Sequence, residues 1–249
     1  MRNVSFFAAL IVCAAGALQA NASVQNGSFE NPTTLVFTTV PNGTAPGDII
    51  PNWGVGLPGS GVSTTPGAGV DVVLAGAGGI LPSPAADGNQ YIDLTGTSWS
   101  GDAGSTNQNG NIFQTIPTAA NQWYQLTFEH ASSLPGGSTG AYTIWDGDWN
   151  NIVADINDPG FIGGGFYSDA GNAVLDWVTS TVLFQAKSAS TTIVFGAILP
   201  EYGNAGHLLD NVSVALVPEP ATVFVWSVLG LAAAGVSYKR ARKNAAVNS

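Results

Sequence analysis

Chemistry in this 249-residue chain has to come from carboxylates, because it has only two histidines, His130 and His207, one cysteine, Cys13, and sixteen Asp and Glu. No Gly-x-Ser-x-Gly nucleophile elbow and no His-Glu-x-x-His zinc helix occurs. Two carboxylates at a defined separation suffice for glycoside hydrolysis, and Glu129 with Glu201 is a pair that could in principle do it. Among so many acids one accidental pair is expected. The chain therefore reads as non-catalytic, with Glu129 a solvated strand position and His130 a hydrogen-bonded residue at a strand end.

A second chemistry is cation binding. In the run Leu208 to Leu216, Asp210 has the parity of Leu208, Val212, Val214 and Leu216. Its carboxylate is expected to point towards the core, where an unpaired charge is costly. With almost no Arg or Lys at hand, a calcium ion in a cage of oxygens would satisfy it; so would capping a turn or bonding to backbone amides. Asp146-Gly147-Asp148-Trp149-Asn150, with Asp155, Asn157 and Asp158, begins like a calcium loop. It has Asn151 where an EF-hand needs Gly and Asn157 where it needs Glu, so it reads as a polar turn.

A third is sugar binding, in which aromatic rings stack on pyranose faces while Asn, Asp and Gln meet the hydroxyls. Trp99, Trp145, Trp149, Tyr167 and Tyr202 lie in or beside polar loop sequence and are the candidates. The competing reading packs these rings under loops as satellite core.

The elements that must position such groups are strands. Alternating runs occur at Gln90 to Thr95, Asn111 to Ile116, Gln122 to His130, Ala141 to Trp145, Ser180 to Ala186, Thr191 to Ile198 and Leu208 to Leu216. Gly, Pro, Asn or Asp bounds each. In Gln122 to His130, Tyr124, Leu126, Phe128 and His130 share one face and Trp123, Gln125, Thr127 and Glu129 the other. Between the two ends of the chain no helical periodicity appears. Strands with one apolar face and no helices to cover them must cover each other, which predicts an all-β, two-sheet antiparallel jelly-roll sandwich. The stretches Gly54 to Gly69 and Ala75 to Asp87 read as long surface loops.

The ends carry addresses. Arg2, the apolar run Val4 to Leu18 and Ala20-Asn21-Ala22 predict a signal peptide over 1–22, cut by signal peptidase after Ala22. A lipoprotein signal at Cys13 is disfavoured, since bulky Val12 stands where a small residue is needed. Ala221 to Tyr238 is apolar apart from Thr222, Ser227 and Ser237 and, at about 1.5 Å per residue, is roughly 27 Å long, enough to cross a bilayer once. Lys239, Arg240, Arg242 and Lys243 follow and should stay cytoplasmic, placing everything before Ala221 outside. One β-sandwich domain over 23–217 remains, and the sorting region is 218–243.

Five of the six basic residues lie in the two ends, so 23–217 keeps only Lys187 against fifteen acids, a net charge of −14. Such a surface repels phosphate backbones and anionic lipid head groups, which argues against nucleic acid and peripheral membrane binding. Without Cys13 that domain holds no cysteine and hence no disulfide.

Val217-Pro218-Glu219-Pro220, a span of membrane length and a basic tail, in that order, resemble the PEP-CTERM signal of Gram-negative bacteria. The resemblance implies sorting by exosortase, from an inner-membrane-anchored precursor with its domain in the periplasm to the cell surface or the medium, among bacteria that make extracellular polysaccharide. In the domain, the order Asn26-Gly27-Ser28-Phe29-Glu30, Ile50-Pro51-Asn52-Trp53, Val70-Asp71-Val72-Val73-Leu74, Asp87-Gly88-Asn89-Gln90-Tyr91-Ile92-Asp93-Leu94, Gly110 to Ile116, Trp123 to Phe128, Thr191 to Phe195 and Leu209-Asp210-Asn211-Val212-Ser213-Val214 resembles the galactose-binding-like jelly rolls. It is most similar to the domain of unknown function 642, whose plant members are cell-wall proteins. This chain lacks the plant cysteines and has an inserted Gly/Ala-rich loop, so only the broad class transfers, an extracellular polysaccharide or matrix partner. In carbohydrate-binding modules of this kind a first-strand Glu and a last-strand Asp share a structural calcium, which falls here on Glu30 and Asp210.

Overall fold

A computed structural model describes residues 22–34, 36–41, 43–56, 69–76, 84–95, 110–133, 139–148, 152, 157–168, 176–197, 207–218 and 228–236. The described residues form eleven strands: β1 (Phe37–Pro41), β2 (Gly54–Val55), β3 (Gly69–Leu74), β4 (Gln90–Asp93), β5 (Asn111–Pro117), β6 (Trp123–Ser132), β7 (Thr139–Asp146), β8 (Phe161–Ser168), β9 (Val178–Gln185), β10 (Ser190–Ala197) and β11 (His207–Leu216). They make a six-stranded sheet, β1-β3-β4-β11-β6-β9, and a five-stranded sheet, β2-β5-β10-β7-β8. All pairings are antiparallel. The expected jelly-roll sandwich is what forms.

Alternation drives it. Tyr124, Leu126 and Phe128 of β6 meet Ile112 and Ile116 of β5, Ile193 and Phe195 of β10 and Ile144 of β7 in one core between the sheets. Phe128 and Phe195 lie edge to face, their ring centroids 4.9 Å apart. Each such side chain, removed completely from water, contributes about 1.5–3 kcal/mol. The first motif closes one flank: Phe29 packs on Trp53 at 5.2 Å, and the Trp53 indole N–H donates to the carbonyls of Gln25 and Asn26.

The structure corrects the sequence reading in three places. Gly54 and Val55 form β2 and Gly69 begins β3, so the first expected loop is bounded by strands at both ends. The segment from Pro84 to Asn89 is no free surface loop: Ala85 is buried against the six-stranded sheet with Val73, Tyr91, Ala131 and Leu208. Third, Asp210 does not point between the sheets. The β11–β6 register shifts between Asp210 and Ser213, and Asn211 takes a left-handed φ of 47°. This bulge reverses the alternation, so Leu209, Val212 and Val214 join the main core while Leu208 and Asp210 face outwards beneath the 84–89 segment.

Of the expected signal peptide only Ala22 is described, and it packs on the main core. Of the expected span 221–238, residues 228–236 are helical and exposed. No helix among the described residues is long and apolar enough to cross a membrane. Glu219, Pro220, Lys239, Arg240, Arg242 and Lys243 lie outside the described residues.

Candidate functional site

The outer face of the five-stranded sheet is lined by the residues whose parity turns them away from the core. Pairing sets Phe113 of β5 opposite Val194 of β10, and Thr192 of β10 opposite Trp145 of β7. Trp145 in turn opposes Phe161 of β8, with ring centroids 5.0 Å apart, and its indole N–H donates to Thr143 Oγ1. Ile152 completes this second apolar cluster. A Cβ on Gly54 would run into the Phe113 ring, so only glycine lets β2 lie beside it.

Beyond that cluster the side chains of the face become small. Registers align Asn111, Gly196, Ala141 and Phe166 across β5, β10, β7 and β8. At about 4.8 Å between strands the row is roughly 14 Å long. At one end the Asn111 amide lies over the buried Gly196, Ala141 follows, and at the other end the Phe166 ring is 77% exposed. The strand residues of this face carry no charge, in a domain with fifteen acids. A neutral face with one open ring and one amide can stack an apolar ligand face and bond its hydroxyls.

The outer face of the six-stranded sheet is different in kind. Asp71 and Asp93 are directly opposed on β3 and β4, and both are buried. Burial pushes the Asp93 carboxyl up to about 6, opposed by hydrogen bonds from Thr95 N–H and Oγ1 at 2.9 and 2.5 Å and reinforced by the negative charge of Asp71. Asp210 is wholly buried and pushed up to about 7 by burial, although the Asp87 and Asn211 amides donate to it at 2.9 and 2.7 Å. Glu30 reaches the same segment from the other side, its Oε1 accepting the Asn89 and Gln90 amides, both at 2.7 Å. Gly88, at φ 70°, leaves the room that the Glu30 carboxylate fills.

The structure thus brings Glu30 and Asp210 onto one segment, 87–90, by bonds to backbone amides. Among the described residues no three His, Cys, Asp or Glu converge as a metal group. Trp145 and Tyr167, expected as open rings near loops, are both buried inside strands. Tyr167 faces the core, packed on Phe128, His130 and His207 at 5.0, 4.7 and 4.6 Å. Trp99, Trp149 and Tyr202 lie outside the described residues, as does Glu201. His130 is a buried residue near the end of β6 bonded to Ser180 Oγ at 2.9 Å, and Glu129 accepts the Thr179 hydroxyl. Sequence reasoning missed Phe166, Asn111 and the Asp71–Asp93 pair. The available signal was parity: Val70 to Leu74 and Gln90 to Leu94 each carry one Asp out of phase with the inner apolar residues.

No protein-family description and no curated protein matches the chain. Among solved structures it is similar to a CBM4 structure at 16% identity and TM-score 0.40, over 78% of this chain and 99% of the other. It is also similar to TmCBM61 in complex with β-1,4-galactotriose, at 10% identity and TM-score 0.43 over 78% and 97%. The CBM22-1 xylan-binding domain from Paenibacillus barcinonensis Xyn10C matches at 16% identity and TM-score 0.38 over 81% and 97%. At these TM-scores the likenesses assign no ligand to this chain, whose fold rests on its own two sheets.

Proposed function

We propose that this is an exported, non-catalytic module that associates with neutral extracellular polysaccharide through the outer face of its five-stranded sheet. One observation carries the reading: the exposed Phe166 ring stands beside Ala141 at one end of an uncharged row that runs to the Asn111 amide, which lies over the buried Gly196. Apolar ring faces and neutral hydroxyls suit it, and an anionic polymer would be repelled by the domain's charge. A glycan array with the purified domain, coupled to analysis of released sugars, tests it. Binding without turnover is expected; turnover would make the protein a glycan-modifying enzyme, and neither would make it a structural matrix protein.

Export completes the proposal. Signal peptidase removes 1–22, the 221–238 helix holds the precursor in the inner membrane with the domain in the periplasm, and exosortase acts at Pro218-Glu219-Pro220 to send the domain to the cell surface. Exposed apolar side chains on the 228–236 helix, among them Leu229, Leu231 and Val236, support this. Mass spectrometry of the C-terminus from native cells should find the chain ending near Pro220; an intact tail on surface protein would refute processing.

A structural calcium ion belongs to the same proposal. Glu30 and Asp210 offer hard oxygens on one segment, so an ion there would share Asp210 and Glu30 Oε1 with the backbone amides they already accept, and Lys187, the one basic residue of 23–217, bonds instead to the carbonyls of Pro159 and Phe161. Calcium would supply the positive charge that the buried Asp210 lacks.

A further inference from the structure

The chain leaves the sandwich at a defined place. The Val217 amide donates to the Trp123 carbonyl at 2.8 Å, just past the last β11–β6 pair, Leu216 with Tyr124. Two of the domain's exposed large apolar side chains lie there, Trp123 on β6 and Leu183 on the edge strand β9, at 44% and 59% exposure. Registers set Trp123 beside Gln185, and Gln125 beside both Leu183 and Ala215. Thr181 and Ser213, both exposed, extend the same face, and the nearest carboxylate along β6 on that face is Glu129, six residues from Trp123. Asp146, Asp148 and Asp158 occupy the five-stranded side of this pole.

Chain length turns this into a constraint. Four residue steps separate Val217 from Ala221, a reach of at most about 14 Å. The headgroup layer on one side of a bilayer takes roughly 5–8 Å of that. The pole holding Trp123 and Leu183 must then lie at the lipid surface.

We propose that, in the membrane-anchored precursor, the outer face of β11, β6 and β9 around Trp123 and Leu183 rests on the phospholipid bilayer and fixes the orientation of the domain. The inference depends on the reading that 221–238 spans the membrane. A Trp and a Leu among uncharged amides and hydroxyls suit the interfacial region, where tryptophan concentrates. The face being neutral, it escapes the repulsion that the rest of this acidic domain meets from anionic lipids. Lys187, bonded to the Pro159 and Phe161 carbonyls, offsets one of the three acids at the five-stranded side of the pole, and the remaining negative charge favours the six-stranded side against the lipid. Phe166, towards the opposite end of the sandwich, then points away from the membrane, open to a polymer outside it.

The test uses the full-length chain, exported from a bacterial host, with Cys13→Ser and a single new cysteine, Leu183→Cys or, as a second variant at the same pole, Gln185→Cys. Phe166→Cys serves as the distal comparison. Each is labelled with a fluorophore and reconstituted into phosphatidylcholine vesicles carrying a headgroup spin label as quencher. Labels at 183 and 185 should be quenched several-fold more than the label at 166. Equal, weak quenching at all three in a chain that resists carbonate extraction would overturn the inference while leaving the span intact. Extraction by carbonate would overturn both.

Discussion

The two sheets present the same kind of apolar face to each other and opposite kinds of face to the outside. The five-stranded sheet shows rings and small neutral residues, with Trp145 buried and Phe166 bare. The six-stranded sheet hides carboxylates, Asp71, Asp93 and Asp210, beneath or beside packed segments. An exposed ring costs little stability and is available to a ligand; a buried carboxylate without a cation is a strain on the fold that must be relieved by amides, a proton or an ion. The difference separates the face proposed to recognise polysaccharide from the face whose buried carboxylates make stability depend on pH.

Trp145 belongs to the packed half of the five-stranded sheet's outer face, away from the exposed Phe166. Trp145→Ala should cost about 3–5 kcal/mol of unfolding free energy by denaturant titration, as expected for a buried aromatic truncated to a cavity. A cost near zero would mean the cluster with Phe113, Val194 and Phe161 holds nothing together. On the other face, adding calcium at about a hundred times its dissociation constant to chelated protein should stabilise by roughly 2.7 kcal/mol, read as a raised melting temperature. An unchanged melting temperature would remove the ion from the account.

Asp93 gives the pH dependence. Its folded value is raised above the unfolded one, so its contribution is fully favourable below about pH 4 and is lost as pH rises through about 6. Asp93→Asn should therefore stabilise the domain by about 1–3 kcal/mol at pH 8 and by far less at pH 4, measured by urea titration at both. The reverse order would show that the Asp71–Asp93 pair is not strained by charge. Asn111→Ala sharpens the binding half with the smallest expected effect, a loss of about 0.5–1.5 kcal/mol of polysaccharide affinity by calorimetry.

Much of this was legible from residues alone. Alternation in Gln122 to His130 located β6 and its two faces, and the order of weak motifs from Phe29 to Val214 anticipated the jelly roll. What escaped had physical reasons. Strand β8 reads Phe-Ile-Gly-Gly-Gly-Phe-Tyr-Ser, and three glycines hide a strand whose pairing is backbone to backbone with β7. With β8 hidden, the sequence offers no reason to single out Phe166, and it sets Tyr167 in or beside loop sequence although its place in the strand sends it into the core. The bulge at Asn211 is a one-residue slip that parity counting along β11 cannot detect. It moved Asp210 to the outer face, where the requirement for a partner survived and the expected place did not.

The central claim is that the bare ring of the five-stranded sheet, and none of the buried ones, binds polysaccharide. Titration calorimetry of Phe166→Ala against the polysaccharide that the array selects tests it most directly. The account predicts affinity at least about tenfold weaker, some 1.4 kcal/mol, at an unchanged melting temperature. Affinity equal to that of the parent protein would contradict it.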